Sequence, residues 1–233
     1  MPPFTLFCLP CAGASATLYQ RWRRQVPAWL DVEPVELPGR GSLMREAPLA
    51  RMDALVDRLA PAWLDRLARQ DAPYALLGMS MGGLIAYELA LRATHVGRHP
   101  AALFVAASAA PGTRDDVRRA SLETEEELIA EMRALGGTPE AVFAEPDILR
   151  PALAVLKADF GVCASARSSW GPPLAAAVHV YGGRQDQISQ LQLLAWQHAT
   201  TSTCTLTWME GGHFFMREQE GDFLRHVVAA IGH

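Results

Sequence analysis

Short apolar runs of strand length alternate along this chain with longer stretches in which apolar residues recur every three to four positions. Phe4–Leu9 predicts a first buried strand, and Val32–Leu37 a second, stopped by Pro38-Gly39, a dipeptide that turns the chain and denies a ladder donor. Apolar residues at 52, 55, 56, 59, 63, 64 and 67, with Asp and Arg between them, predict an amphipathic helix. Tyr74–Leu77 reads as a short strand running into Gly78-Met79-Ser80-Met81-Gly82, with a helix over Gly83–Ala93. Ala101–Ala107, Ala175–Tyr181 and Cys204–Met209 complete the strands, with helices near Gln190–His198 and across Phe223–Ile231. This βαβα rhythm predicts an α/β fold: a mostly parallel central sheet flanked by helices on both faces. The segment from about 112 to 171 departs from it. It has helical periodicity twice, over Glu123–Leu135 and Pro146–Ala166, and no convincing strand, which predicts a helical lid over the site.

With 233 residues, half of them hydrophobic, the chain can bury one sizeable core, so a single domain over 1–233 carrying the lid is expected. The 21 Lys and Arg against 25 Asp and Glu give a net charge of −4, and no broad positive field for nucleic acid. Met1–Pro10 lacks a basic leader region, and no run approaches the roughly 20 apolar residues that span a bilayer. A cytoplasmic monomer without membrane contact is the expectation. Cys8-Leu9-Pro10-Cys11 has the spacing of a redox or zinc half-site, but no second close pair and no helix directly after Cys8 accompany it. Packing and loop roles for reduced thiols are expected, and no metal. Arg21, Arg23 and Arg24, and Arg114, Arg118 and Arg119, form two basic clusters that read as solvated faces or as docking points for an acidic partner.

The chemistry centres on Gly78-Met79-Ser80-Met81-Gly82, a G-x-S-x-G placed between a strand and a helix. The sharp turn strains the backbone at the serine and tolerates only small neighbours, a role for Gly78, Gly82 and Gly83. Ser80 is therefore a candidate nucleophile at a helix N-terminus, where developing anions are favoured. A serine hydroxyl needs a base, and the base needs a group to orient it. Of seven histidines, only His213, in Gly211-Gly212-His213-Phe214-Phe215, follows the last strand on a loop at the carboxyl edge of the sheet. Asp186 follows the penultimate strand through the Gly182-Gly183 turn and is the candidate orienting acid. Candidate donors for an oxyanion are the backbone N–H of Met81, after the nucleophile, and that of Ala12, in the small-residue loop after the first strand.

Several segments resemble the type II (editing) thioesterases that accompany polyketide and nonribosomal peptide synthases, which have the α/β-hydrolase fold. They are Leu6–Pro10, Glu36–Gly41, Gly78–Gly83, Leu135–Pro139, Leu156–Phe160 and Gly211–Phe215, in the family's order along nearly the whole chain. The resemblance implies hydrolysis of acyl groups from the phosphopantetheine arm of acyl or peptidyl carrier protein domains. The family's triad falls on Ser80, Asp186 and His213. No cofactor is implied beyond the pantetheine that the substrate carries. Two departures stand out: Cys11 where relatives usually have Tyr or His, and Gly161–Ala166 without the usual Glu and Tyr. The first bears on the oxyanion loop or pocket floor, and the second, on the lid side in relatives, on chain-length preference. The triad residues do not by themselves separate a thioesterase from a carboxylesterase or acyltransferase, nor from a catalytically inactive module that binds an acyl carrier.

Overall fold

The computed structural model describes residues 2–114, 116–166 and 170–232. Positions 115 and 167–169 of the expected lid segment, and the two terminal residues, lie outside them.

Six parallel strands form one sheet in the order β2-β1-β3-β4-β5-β6. They are β1 (Phe4–Leu9), β2 (Leu30–Pro34), β3 (Tyr74–Met79), β4 (Ala102–Ala106), β5 (Ala177–Gly183) and β6 (Cys204–Met209). The main helices between them are α1 (Met52–Ala68) and α2 (Met81–His95). Four more follow β4: α3 (Val117–Ala120), α4 (Glu125–Leu135), α5 (Glu140–Phe143) and α6 (Pro146–Ala164). The chain closes with α7 (Gln190–Leu194), α8 (Phe215–Glu218) and α9 (Glu220–Ile231). This is the expected α/β-hydrolase architecture.

Because the sheet is covered on both faces, the central strands are continuously apolar, yet successive residues still serve different cores. Phe7, Leu9, Tyr74, Leu76, Leu103 and Val105 join α1 and α2 on one face. Leu6, Cys8, Ala75, Leu77, Phe104 and Ala106 join Trp22 of the 3-10 segment Ala16–Arg24 and Phe223 of α9 on the other. A third, separate cluster holds α4 to α6 through Leu128, Met132, Leu149, Leu153, Leu156 and Phe160. The helical periodicity of the insertion thus corresponds to a small core of its own.

Four strands differ from the expected boundaries: β3 continues two residues past Leu77 to Met79, β4 is one residue shorter at each end than Ala101–Ala107, and β2 and β5 are shifted. The second runs Leu30–Pro34, not Val32–Leu37, because its start is set by pairing of Leu30 with Phe4 and its end by Pro34, tolerated on an edge strand. The fifth runs Ala177–Gly183, not Ala175–Tyr181. Gly182 and Gly183 are not a turn: they pair with Trp208 and Met209, and a Cβ on Gly182 would lie only 2.5 Å from Leu193 Cδ1 and 2.9 Å from the Trp208 ring. The turn follows, closed by the Asp186 N–H donating to the Gly183 carbonyl.

Candidate active site

The sheet order reverses between β1 and β3, so the loops that leave their carboxyl ends diverge to opposite faces and open a crevice between them. Cys11 and Ala12 leave β1 at this point, and Ser80 leaves β3. Ser80 is the one residue between the last strand position, Met79, and the first helical one, Met81, and it takes φ 52°, ψ −116°. That left-handed backbone is costly for a residue with a Cβ and is held by the surroundings. The Ser80 N–H donates to the Ala106 carbonyl at 2.8 Å, and the Gly83 N–H to the Ser80 carbonyl at 3.0 Å. A Cβ on Gly78 would collide with the Gly82 carbonyl, and one on Gly82 with the backbone of Leu9 and Pro10. The glycines of the motif therefore permit the turn itself and the close approach of α2 to the end of β1. Ser80 is half-buried at the N-terminus of α2, where backbone N–H groups lack intrahelical partners.

Asp186 and His213 lie on the loops after β5 and β6 and meet across them. His213 Nδ1 is 2.9 Å from Asp186 Oδ2, with 6 % of the Asp186 side chain exposed and 26 % of the His213 ring. An ionised carboxylate only accepts, so Nδ1 carries the proton and Nε2 is left free as an acceptor. Burial pushes the Asp186 carboxyl up, but the His213 hydrogen bond and charge, with the Gln187 and Ile188 amides, outweigh it and hold the carboxyl below its ordinary value. The sequence reading missed Gln185, which staples the two loops. Its side-chain oxygen accepts from the Gly211 N–H at 2.6 Å, and its own N–H donates to the Gly211 carbonyl at 3.0 Å.

Ser80, Asp186, His213 and Ala12 all line one cavity of about 640 Å³. Among the described residues, the N–H groups of Ala12 and Met81 donate to no protein acceptor. The helical insertion roofs the cavity with Leu135 and Phe160, and Phe214 packs edge-on against the His213 ring at 5.3 Å. Of the two basic clusters, Arg21 pairs with Glu220 and Arg23 with Glu33. The second cluster is paired and reaches the cavity, although the Arg118 side chain stays largely exposed. Arg114 pairs with Asp116, Arg118 and Arg119 share Glu131, and all five line the cavity. Nothing in local spacing marks these pairings, because Glu131 of α4 reaches Arg118 and Arg119 of α3 only once both helices pack against α6.

Cys8, Cys11 and Cys163 are buried free thiols, and Cys204 is half-buried. Cys8 lies inside β1 and not at a helix start, in keeping with the packing role expected for it. Among the described residues, no group of three or more His, Cys, Asp and Glu could hold a metal ion, and no helix is long and apolar enough to cross a membrane.

Residues 4–231 match the family profile described as "Thioesterase domain". The gramicidin S biosynthesis protein GrsT of Aneurinibacillus migulanus is 31 % identical over 228 residues, covering 97 % of this chain and 88 % of that protein. Among solved structures, the RedJ thioesterase from the prodiginine pathway of Streptomyces coelicolor superposes with a TM-score of 0.87 at 31 % identity, covering 98 % of this chain and 90 % of the other. The type II thioesterase BorB from the borrelidin cluster superposes with a TM-score of 0.87 at 34 % identity, covering 98 % and 94 %. With an elbow serine, an Asp-His pair and two free amides around one crevice, and a family match over nearly its whole length, the chain belongs to the thioesterase domain family.

Proposed function

We propose that this chain is a type II, editing thioesterase that removes acyl groups from the phosphopantetheine arm of carrier proteins serving a polyketide or nonribosomal peptide synthase. The observation that carries the chemistry is the convergence of Ser80, His213 and Asp186 on one cavity from three separate strand ends. The carrier-borne substrate is supported by a further solved relative, ClbQ, whose name places it in the colibactin NRPS/PKS pathway and which is 26 % identical over 99 % of this chain. The thioesterase relatives also favour a thioester over the oxygen ester of a carboxylesterase.

In the first step Ser80 Oγ bonds to the thioester carbonyl carbon while His213 Nε2 takes the hydroxyl proton. The negative oxygen is held by the Met81 and Ala12 amides, and the dipole of α2 adds to their field. As the C–S bond breaks, His213 returns its proton to the leaving thiolate. Water then attacks the acyl-serine, giving its proton to His213, and collapse releases the carboxylic acid and restores Ser80. Asp186 holds the Nδ1–H tautomer and offsets the imidazolium charge in both halves. Besides the substrate and one water, each step draws on protein groups, and the pantetheine arrives with the substrate. The insertion 112–171 acts as a lid that keeps bulk water from the acyl-enzyme.

The test is loss of an acyl group from a loaded carrier protein, followed by intact mass, with the wild type and Ser80→Ala compared. The wild type is expected to release free carrier and Ser80→Ala to release none above buffer. Equal release by both would remove Ser80 from the mechanism. Faster turnover of a matched oxygen ester than of acyl-pantetheine would discard the thioester assignment.

A further inference from the structure

Two motifs singled out in the sequence have no part in the mechanism above: Leu37-Pro38-Gly39-Arg40-Gly41 and Leu156-Lys157-Ala158-Asp159-Phe160. In the folded chain they meet. Arg40 Nη1 donates to Asp159 Oδ2 at 2.6 Å and Nη2 to Oδ1 at 2.7 Å, a two-pronged pair with only 8 % and 1 % of the side chains exposed. Asp159 Oδ2 also accepts the Gly13 backbone N–H at 2.7 Å, and Arg40 Nη1 lies 3.3 Å from the Ala14 carbonyl oxygen that it donates to. Gly13 has φ 74°, and a Cβ there would already touch Leu156 Cδ1 on the same helix at 3.4 Å.

The pair therefore grips the residues directly after Ala12 from both sides: a carboxylate of α6 holds the amide of Gly13, and a guanidinium holds the carbonyl of Ala14. The Ala14 N–H in turn donates to the Cys11 carbonyl at 3.1 Å, and that carbonyl shares one rigid peptide plane with the Ala12 N–H, so the direction of the Ala12 N–H follows from where Gly13 and Ala14 are held. A buried pair of this kind is a poor way to gain stability, since well-packed apolar residues of similar volume often serve as well or better. Its geometry suits a different task. We infer that Arg40 and Asp159 are positioning residues that aim the Ala12 N–H at the developing oxyanion and lock that aim to the seating of lid helix α6. The inference rests on the Ala12 assignment made under the proposed function.

The test uses the full chain and four proteins: wild type, Asp159→Asn, Arg40→Lys, and the double variant Arg40→Met/Asp159→Leu, which replaces the pair by apolar side chains. Each is measured for thermal midpoint, for kcat and KM on an acyl-pantetheine thioester, and for the rate of fluorophosphonate labelling of Ser80. A positioning role predicts a double variant with a midpoint near the wild type but kcat and labelling rate reduced about 10- to 100-fold, towards the loss of a whole oxyanion donor, with KM within about threefold. Wild-type kcat in the folded double variant, or kcat tracking the midpoint across all four, would overturn it and leave the pair structural. If the double variant does not fold, Asp159→Asn decides. Its single acceptor oxygen cannot serve Gly13 and both prongs of Arg40, so at least a tenfold fall in kcat at unchanged KM is expected, and wild-type kcat overturns the inference. Labelling separates this result from failure of the thioesterase reading. A wild type that labels but spares the thioester discards the substrate, while the difference in labelling rate between wild type and variants still judges the positioning role.

Discussion

Gly82→Ala isolates how closely the site depends on packing of the elbow. The added methyl would enter the backbone at the end of β1, 2.8 Å from both the Leu9 carbonyl carbon and the Pro10 oxygen and nearer still to the Leu9 oxygen. Those atoms cannot rotate away. To bring the tightest contact out to 3.0 Å, α2 and the β1 loop must part by about 0.8 Å. The two segments that separate are the ones carrying Met81 and Ala12, so the gap between the two proposed oxyanion donors widens by nearly the same amount. Misplacement by about 1 Å costs on the order of 100-fold, so kcat/KM should fall about 30- to 100-fold. Overpacking costs about 1–3 kcal/mol, lowering the thermal midpoint by several degrees in a chain of this size. Gly97→Ala is the control. Gly97 has φ 74° and nothing within 4 Å, so the methyl adds a left-handed backbone cost of about 1–2 kcal/mol without moving the site. The assay is steady-state hydrolysis of an acyl-pantetheine thioester beside thermal unfolding of both variants. A folded Gly82→Ala retaining activity within threefold of the wild type would refute the reasoning, as would an equal loss in Gly97→Ala.

Asp186→Asn keeps the shape of the orienting group but favours the wrong tautomer of His213, and kcat should fall about 10³- to 10⁴-fold with little change in KM; a loss below tenfold would show that Asp186 does not orient the ring. The same variant tests the acid dependence of stability. The folded-state pKa of Asp186 lies below its ordinary value of 3.8, so its contribution is present above that value and is lost as pH falls through the depressed one. The gap in urea midpoint between the wild type and Asp186→Asn should therefore hold at pH 6–7 and shrink below about pH 4; a gap constant down to pH 3 would contradict this. Burial raises all four thiols, Cys163 to about 12, so iodoacetamide should reach half-buried Cys204 first and spare Cys8, Cys11 and Cys163 until the chain unfolds. Peptide mapping showing Cys163 modified before Cys204 would overturn that order.

Much of this protein was legible from local pattern alone. The strands Phe4–Leu9 and Cys204–Met209 are recovered residue for residue, the first because a mostly apolar run is what a strand covered on both faces demands, the second because Thr205 and Thr207 alternate with apolar residues on a half-exposed edge strand. Ser80, Asp186 and His213 were legible for a related reason: each sits just beyond a strand, and in a parallel sheet all such ends share one edge. What tertiary structure alone decided are contacts between groups far apart in the chain. Pairing with β1 set the start of β2, and pairing with β6 kept Gly182 and Gly183 in β5. Arg40 and Asp159, 119 positions apart, lie in two motifs whose meeting nothing in the sequence indicated, and neither Gln185 as a staple nor Glu131 as the partner of Arg118 and Arg119 was legible. Periodicity reports which face of an element is apolar, whereas the partner of a buried charge is chosen by which elements the fold brings side by side.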